Sequence, residues 1–115
     1  MSGLQPKDID LIQIYDCFTI AGVMTLEDYG FCPKGQFGSW SKDGYLEIDG
    51  ALPMNTSGGL LSETGMPGLQ LIIEGVRQMR GNANLQISKA RNCLISNQGG
   101  TMHTHATMIL GRSND

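Results

Sequence analysis

Between Ile9 and Tyr15 the chain sets Ile9, Leu11, Ile12, Ile14 and Tyr15 almost side by side. A run this short and this continuous offers no polar face to water. It suits a β-strand covered on both faces, as in a parallel sheet flanked by helices. The stretch from Pro67 to Arg80 has the other periodicity. Leu69, Ile72, Ile73, Val76 and Met79 make a broad apolar stripe at helical spacing, Leu71 widens it, and Glu74 with Arg77 or Gln78 falls on the other side. Pro67 suits the first turn of such a helix and Gly81 its end. Two more β-rich runs, 92–96 and 104–110, are joined by Asn97-Gln98-Gly99-Gly100 and are expected to pair antiparallel across that turn. The order strand, helix, excursion, helix, strand, strand predicts an α/β fold, a mixed sheet with covering helices.

Local signals fill in the rest. Pro6-Lys7-Asp8 reads as one helical turn or a bend. Asp16 closes the first strand and has the chemistry of an N-cap for a helix from Cys17 to Tyr29, with Gly30 as its stop. Residues 31–54 are the least regular part. Gly35, Gly38, Gly44 and Gly50 favour loop, and Ser41-Lys42-Asp43-Gly44 is a turn flanked by aromatic residues, so a small hairpin or a long surface excursion is expected. Excursions of that length inside one domain usually carry function or meet a partner. Ser113-Asn114-Asp115 reads as a frayed tail.

The 115 residues suffice for one domain with one core. Only 17% of them are charged, below the roughly 25% of an average domain, and there are 16 Gly and 7 Met. A low-charge surface of this kind implies burial against a partner. The net charge is −3 without a basic cluster, which excludes nucleic acid as the main partner. Cys17, Cys32 and Cys93 are odd in number and lack metal-ligand spacing. With no secretory leader evident, they read as reduced thiols of a cytoplasmic protein. No apolar run approaches the ~20 residues of a membrane span.

Three loops hold the candidate chemistry. Asn55-Thr56-Ser57-Gly58-Gly59-Leu60-Leu61-Ser62 is a polar, glycine-paired loop that runs toward a buried helix; glycines there permit positive φ and close approach of a ligand or another backbone. Tyr15-Asp16-Cys17-Phe18-Thr19 ends the first strand, and Gly99-Gly100 turns the last pair. If the three converge, Asn55, Gly58, Gly59, Gly99 and Gly100 line a substrate site. Tyr15 is either a strand-end aromatic with its ring in the core or an acid/base phenol. His103 and His105, two apart on a predicted strand, face one side. They lack a third ligand for a metal, so none is assigned, and His105 is either a proton shuttle or a surface residue.

These motifs, together with Leu26-Glu27-Asp28-Tyr29-Gly30, Leu52-Pro53-Met54, Glu74-Gly75-Val76-Arg77-Gln78-Met79-Arg80-Gly81 and Ala106-Thr107-Met108-Ile109-Leu110-Gly111, resemble in order and spacing the C-terminal half of a thiolase-superfamily protein. Within that superfamily the series is similar to the lipid-transfer or sterol-carrier-protein type. The resemblance spans residues 1–115 as one thiolase-like C-terminal domain. It implies two α/β halves that pack together and dimerise, with the nucleophilic Cys and most of the coenzyme A pocket in the N-terminal half. The thiolase Gly-His-Pro histidine has no counterpart in Glu63-Thr64-Gly65-Met66-Pro67-Gly68. The glycines of Asn97-Gln98-Gly99-Gly100 stand without the second thiolase Cys. Thiolysis needs those groups together, so the chain alone is not expected to perform it.

A Tyr at position 15, where thiolases carry an Asn, resembles the thiolase-like aldolases that cleave β-hydroxyacyl-CoA side chains. Those pair with a small subunit made of a zinc ribbon and an OB-fold. They also place a second Tyr near the position of Gly65, which this chain lacks. The expectation is therefore a C-terminal component of an acyl-CoA acyltransferase or C–C lyase of lipid metabolism. It would contribute Tyr15, the Asn55–Ser62 loop and His105, bind no cofactor of its own, and meet acyl-CoA as substrate of the complete enzyme. Its expected partners are an N-terminal thiolase half or further copies of itself, and a zinc-ribbon/OB-fold subunit. The alternative is a non-catalytic binding or assembly module derived from the same fold.

Overall fold

The computed structural model describes residues 2–63, 68–100 and 102–113. The first apolar run becomes strand β1 (Leu11–Ile14), buried at every position. A 3-10 turn at Pro6–Asp8 precedes it, and α1 (Thr19–Asp28), α2 (Phe37–Trp40), α3 (Gly59–Ser62), α4 (Leu69–Arg80), β2 (Asn92–Gly99) and β3 (Thr104–Gly111) follow. The sheet order is β1-β2-β3. β1 runs parallel to β2, from Leu11↔Cys93 to Ile14↔Ser96, and β2 runs antiparallel to β3, from Asn92↔Gly111 to Gly99↔Thr104. On the far side of β1, Ile12 forms a parallel bridge to Met54. β1 is thus hydrogen-bonded on both edges as well as covered on both faces, which explains its unbroken apolar composition.

Strand alternation divides the core in two. Ile12, Ile14 and Leu94 pack with Ile9, Leu26 and Leu52 on the α1 side. Leu11, Cys93 and Ile95 pack with Leu71, Met79 and Ala90 on the α4 side. The excursion closes the first of these: Trp40 lies 4.6 Å from Tyr45 and 6.2 Å from Phe37, centroid to centroid. No strand forms among the described residues of 31–53, so the excursion reading holds over the hairpin.

Two local expectations need correction. The first helix starts at Thr19, with Phe18 as an extended N-cap. Asp16 does not cap it; its Oδ1 accepts from Leu60 N–H at 2.7 Å, in the first turn of α3. The carboxylate serves a helix N-terminus, but one far along the chain. Tyr29 and then Gly30, at φ 81°, do end α1.

The second correction concerns the orientation of α4. Its buried residues are Leu71, Glu74, Gly75, Gln78 and Met79. Leu69 and Ile73, expected on the inward stripe, are 53% and 42% exposed. Gly75 accounts for the turn of the helix: a Cβ there would stand 2.7 Å from Ile95 Cδ1, so this is the face that approaches the sheet most closely. Glu74 and Gln78 follow it inward because they find polar partners there. Gly81, at φ 76°, closes the helix as expected. Pro67, Gly65 and Met66 lie outside the described residues, as do Asn114 and Asp115 of the expected tail.

Candidate functional site

The three loops singled out in the sequence meet at one end of the sheet. Asn55 holds the second loop to the first. Its own backbone is left-handed, φ 50°, which Asn tolerates better than most residues. Its side-chain amide pairs with the end of β1 as another strand would: Ile14 N–H donates to Asn55 Oδ1 at 2.7 Å, and Asn55 Nδ2 donates to Ile14 O at 3.0 Å. Gly59, φ 68°, sits in the angle between Asn55 and Asp16. A Cβ there would overlap the Asp16 carboxylate and approach Asn55 Nδ2 to 2.9 Å. Gly58, φ 103°, is the left-handed N-cap of α3. Both glycines are therefore required by the backbone and by close approach within the protein.

The third loop joins through Gln98. Its Nε2 lies 3.5 Å from Tyr15 O and 3.8 Å from Cys17 Sγ. Tyr15 N–H donates to Ser96 O at 2.9 Å. Asn97 Nδ2 reaches Gly68 O, ahead of α4, at 3.4 Å. Gly99 and Gly100 shape the β2–β3 hairpin: Gly100 has φ 59°, and His103 N–H donates to Gly99 O at 3.1 Å. The carbonyl oxygens of the Asn97 and Gln98 side chains are buried with no hydrogen-bond partner.

The two candidate acid/base residues are not brought together. Tyr15 is half-buried and packs on the α4-side core. His105 is exposed, with Nε2 3.0 Å from Met102 O, and lines a cavity of about 240 Å³ with Thr25, Asp28, Tyr29 and Met102. That cavity is on the α1 side, so the sheet separates the two. His103 lies in the hairpin turn, ahead of β3, rather than on the strand. Among the described residues no three His, Cys, Asp or Glu side chains are grouped to hold a metal ion.

A buried polar network beneath the loops went unread in the sequence. Thr56 Oγ1 accepts from Gln13 Nε2 at 2.8 Å and Gln78 Nε2 at 3.0 Å, and donates to Glu74 Oε1 at 2.6 Å. Gln78 continues it to Leu85 O at 2.7 Å and Ile87 N–H at 2.9 Å. The one available signal was Gln13, a polar residue in the middle of an apolar strand, which at full burial must find partners. The nearby Cys93 thiol is pushed up to about 12, chiefly by burial and in smaller part by the Glu74 carboxylate. It is a packing residue and not a nucleophile.

Comparison with known proteins gives this arrangement a family. A family model described as thiolase C-terminal domain-like matches residues 1–112. An acetyl-CoA acetyltransferase of Methanothermobacter thermautotrophicus is 41% identical over 97% of the chain and 30% of its own length. The 17-hydroxy-3-oxo-4-pregnene-20-carboxyl-CoA lyase of Mycobacterium tuberculosis is 39% identical over 96% of the chain and 28% of its own. A solved Ltp2-ChsH2(DUF35) aldolase superposes with a TM-score of 0.90 at 40% identity, covering 98% of this chain and 29% of that one. The chain thus spans less than a third of the relatives it matches. By the family model over residues 1–112 and by relatives about 40% identical over nearly its whole length, the chain belongs to the thiolase C-terminal domain-like family.

Proposed function

We propose that this chain is the C-terminal component of a cytoplasmic, thiolase-fold acyl-CoA enzyme, of the side-chain-cleaving C–C lyase type. The observation that carries the composite reading is the outward face of α4. Leu69 and Ile73 face water while Glu74 and Gln78 face the core. An amphipathic helix normally does the reverse. Apolar residues left outside such a helix are covered when a second layer packs on it, and the N-terminal thiolase half is the layer these relatives suggest. Phe18, Ile20 and Leu61, each more than 60% exposed around the loops, are further apolar residues left uncovered. Identity does not separate the two, since a steroid side-chain-cleaving aldolase of Thermomonospora curvata and the acetyl-CoA acetyltransferase are both 41% identical to the chain; Tyr15, together with the superposition on the aldolase at a TM-score of 0.90, favours the lyase.

In such a cleavage the proton leaves the β-hydroxyl of a β-hydroxyacyl-CoA. The Cα–Cβ bond breaks to give a carbonyl product and a thioester enolate, which then takes up a proton at Cα. Tyr15, at the end of β1 beside the Asn55–Gly59 loop, is the proton-transfer candidate, with acyl-CoA as substrate and no resident cofactor. Gly58, Gly59, Gly99 and Gly100 form the loops that border the acyl group. His105, across the sheet, has no part in that step in this reading. A zinc-ribbon/OB-fold subunit is a further expected partner. The test is co-expression with an N-terminal thiolase half, followed by acyl-CoA cleavage. Tyr15→Phe is expected to lower turnover about 10²–10⁴-fold with the complex intact. Unchanged turnover would remove Tyr15 from the chemistry. A stable module that binds neither the other half nor a thioester would point to the assembly role instead.

A further inference from the structure

We infer that Asn97 reads the β-hydroxyl of the substrate: its side-chain carbonyl accepts the hydroxyl hydrogen and so selects a β-hydroxyacyl thioester over one with no donor at Cβ. The inference rests on the acyl-CoA reading above and adds to it the residue that sets the choice of acyl group.

The register places Asn97 at Tyr15. β1 pairs with β2 up to Ile14↔Ser96, and Tyr15 N–H carries the ladder one step further by donating to Ser96 O at 2.9 Å. Tyr15 and Asn97 are therefore neighbours on adjacent strands, with backbones about 5 Å apart. Their side chains leave the sheet on the same face. Tyr15 packs on the α4-side core, and Asn97 Nδ2 donates to Gly68 O, at the start of α4, at 3.4 Å. Gln98, the next residue, falls on the opposite face, where its amide lies 3.8 Å from Cys17 Sγ. Of the two amides, only that of Asn97 shares a face with the Tyr15 ring.

The acceptor on that face is unused. Asn97 Oδ1 is buried and has no hydrogen-bond partner, whereas buried carbonyl oxygens nearly always have one. It stands beside Gly68, the N-cap of α4, yet accepts from none of the open N–H groups of the helix. Space is reserved for it. A Cβ at Gly68, φ 71°, would overlap Oδ1 and stand 2.7 Å from Asn97 Cγ. A carbonyl oxygen offers lone pairs and no hydrogen, so it selects a donor. Next to the bond that breaks, the β-hydroxyl supplies one. A 3-oxo group presents a second acceptor there, and a saturated chain presents nothing. The single hydroxyl hydrogen rests on Asn97 Oδ1 in the bound substrate and turns to Tyr15 for the transfer. Asn97 thus acts on binding and Tyr15 on turnover.

Binding of unreactive coenzyme A thioethers to the complex with the N-terminal thiolase half tests this. S-(3-hydroxyalkyl) and S-alkyl coenzyme A of equal chain length lack the thioester carbonyl, so no enolate forms and neither is cleaved. The wild type is expected to bind the hydroxyalkyl ligand about tenfold more tightly. Asn97→Leu should erase that preference and leave the affinity for the alkyl ligand in place. Asn97→Asp gives up the Nδ2 bond to Gly68 but keeps an acceptor, and should retain the preference; a purely structural Asn97 would make both variants equally poor. A wild type without the preference, a preference that survives Asn97→Leu, or a loss shared equally by both ligands, as from a contact with the coenzyme A arm, overturns the inference while the acyl-CoA reading stands. A complex that binds neither ligand removes that reading and the inference with it. Should the variants fail to assemble, the side-chain amide resonance of Asn97 in the wild-type complex decides. It should move with the hydroxyalkyl ligand and not with the alkyl one, and equal shifts would refute the contact.

Discussion

At the scale of single residues, the loop glycines are fixed by what touches them. Gly59 combines a left-handed backbone with contact against Asp16 and Asn55. Gly59→Ala is expected to cost about 2 kcal/mol or more, read as a lower denaturation midpoint, since strained backbone and overlap act together. Cys93 gives a pH prediction. Its folded pKa is raised to about 12 by burial and by Glu74, so the folded state favours the neutral thiol. That preference costs nothing below the ordinary thiol range. Stability should fall as the pH climbs from about 9 toward 12, by up to about 4 kcal/mol for a shift of this size. Cys93→Ser would not reproduce that slope, and a flat profile for the wild type over this range would contradict the assignment. The identity of these residues was legible in the sequence, but their duties were not. Asn55 and Gly59 read as candidate ligand contacts because a loop sequence does not reveal that the loop grips β1. Asp16 read as the cap of the next helix because the sequence places α3 more than forty residues away.

At the scale of elements, β1, α1 and the β2–β3 hairpin could be read directly, because continuous apolarity, a stop glycine and a Gly-Gly turn each act locally. The facing of α4 could not. Its apolar stripe pointed one way, but Thr56, far off in sequence and itself bonded to Gln13, draws Glu74 and Gln78 the other way. Thr56 is the hub of that network. Thr56→Val keeps the shape but leaves the Gln13, Glu74 and Gln78 groups short of a partner in a buried site. A loss of about 3 kcal/mol in chemical denaturation is expected. A near-neutral result would mean that water or a shifted Gln13 amide replaces the hydroxyl.

On the scale of the whole molecule, the sequence revealed a thiolase-type half-fold through its ordered motifs, and the charge-poor composition already implied a covered surface. The packing leaves the outer face of α4 and the apolar residues around the loops uncovered, and under the proposed function the second thiolase half would pack there. The most direct measurement is the native mass of the chain mixed with an N-terminal thiolase half, with acyl-CoA cleavage followed in the same sample. A defined complex that cleaves a β-hydroxyacyl-CoA, and that Ile73→Asp prevents from forming while leaving the chain folded, is the predicted result. Two folded components that remain separate and leave the thioester intact would contradict it.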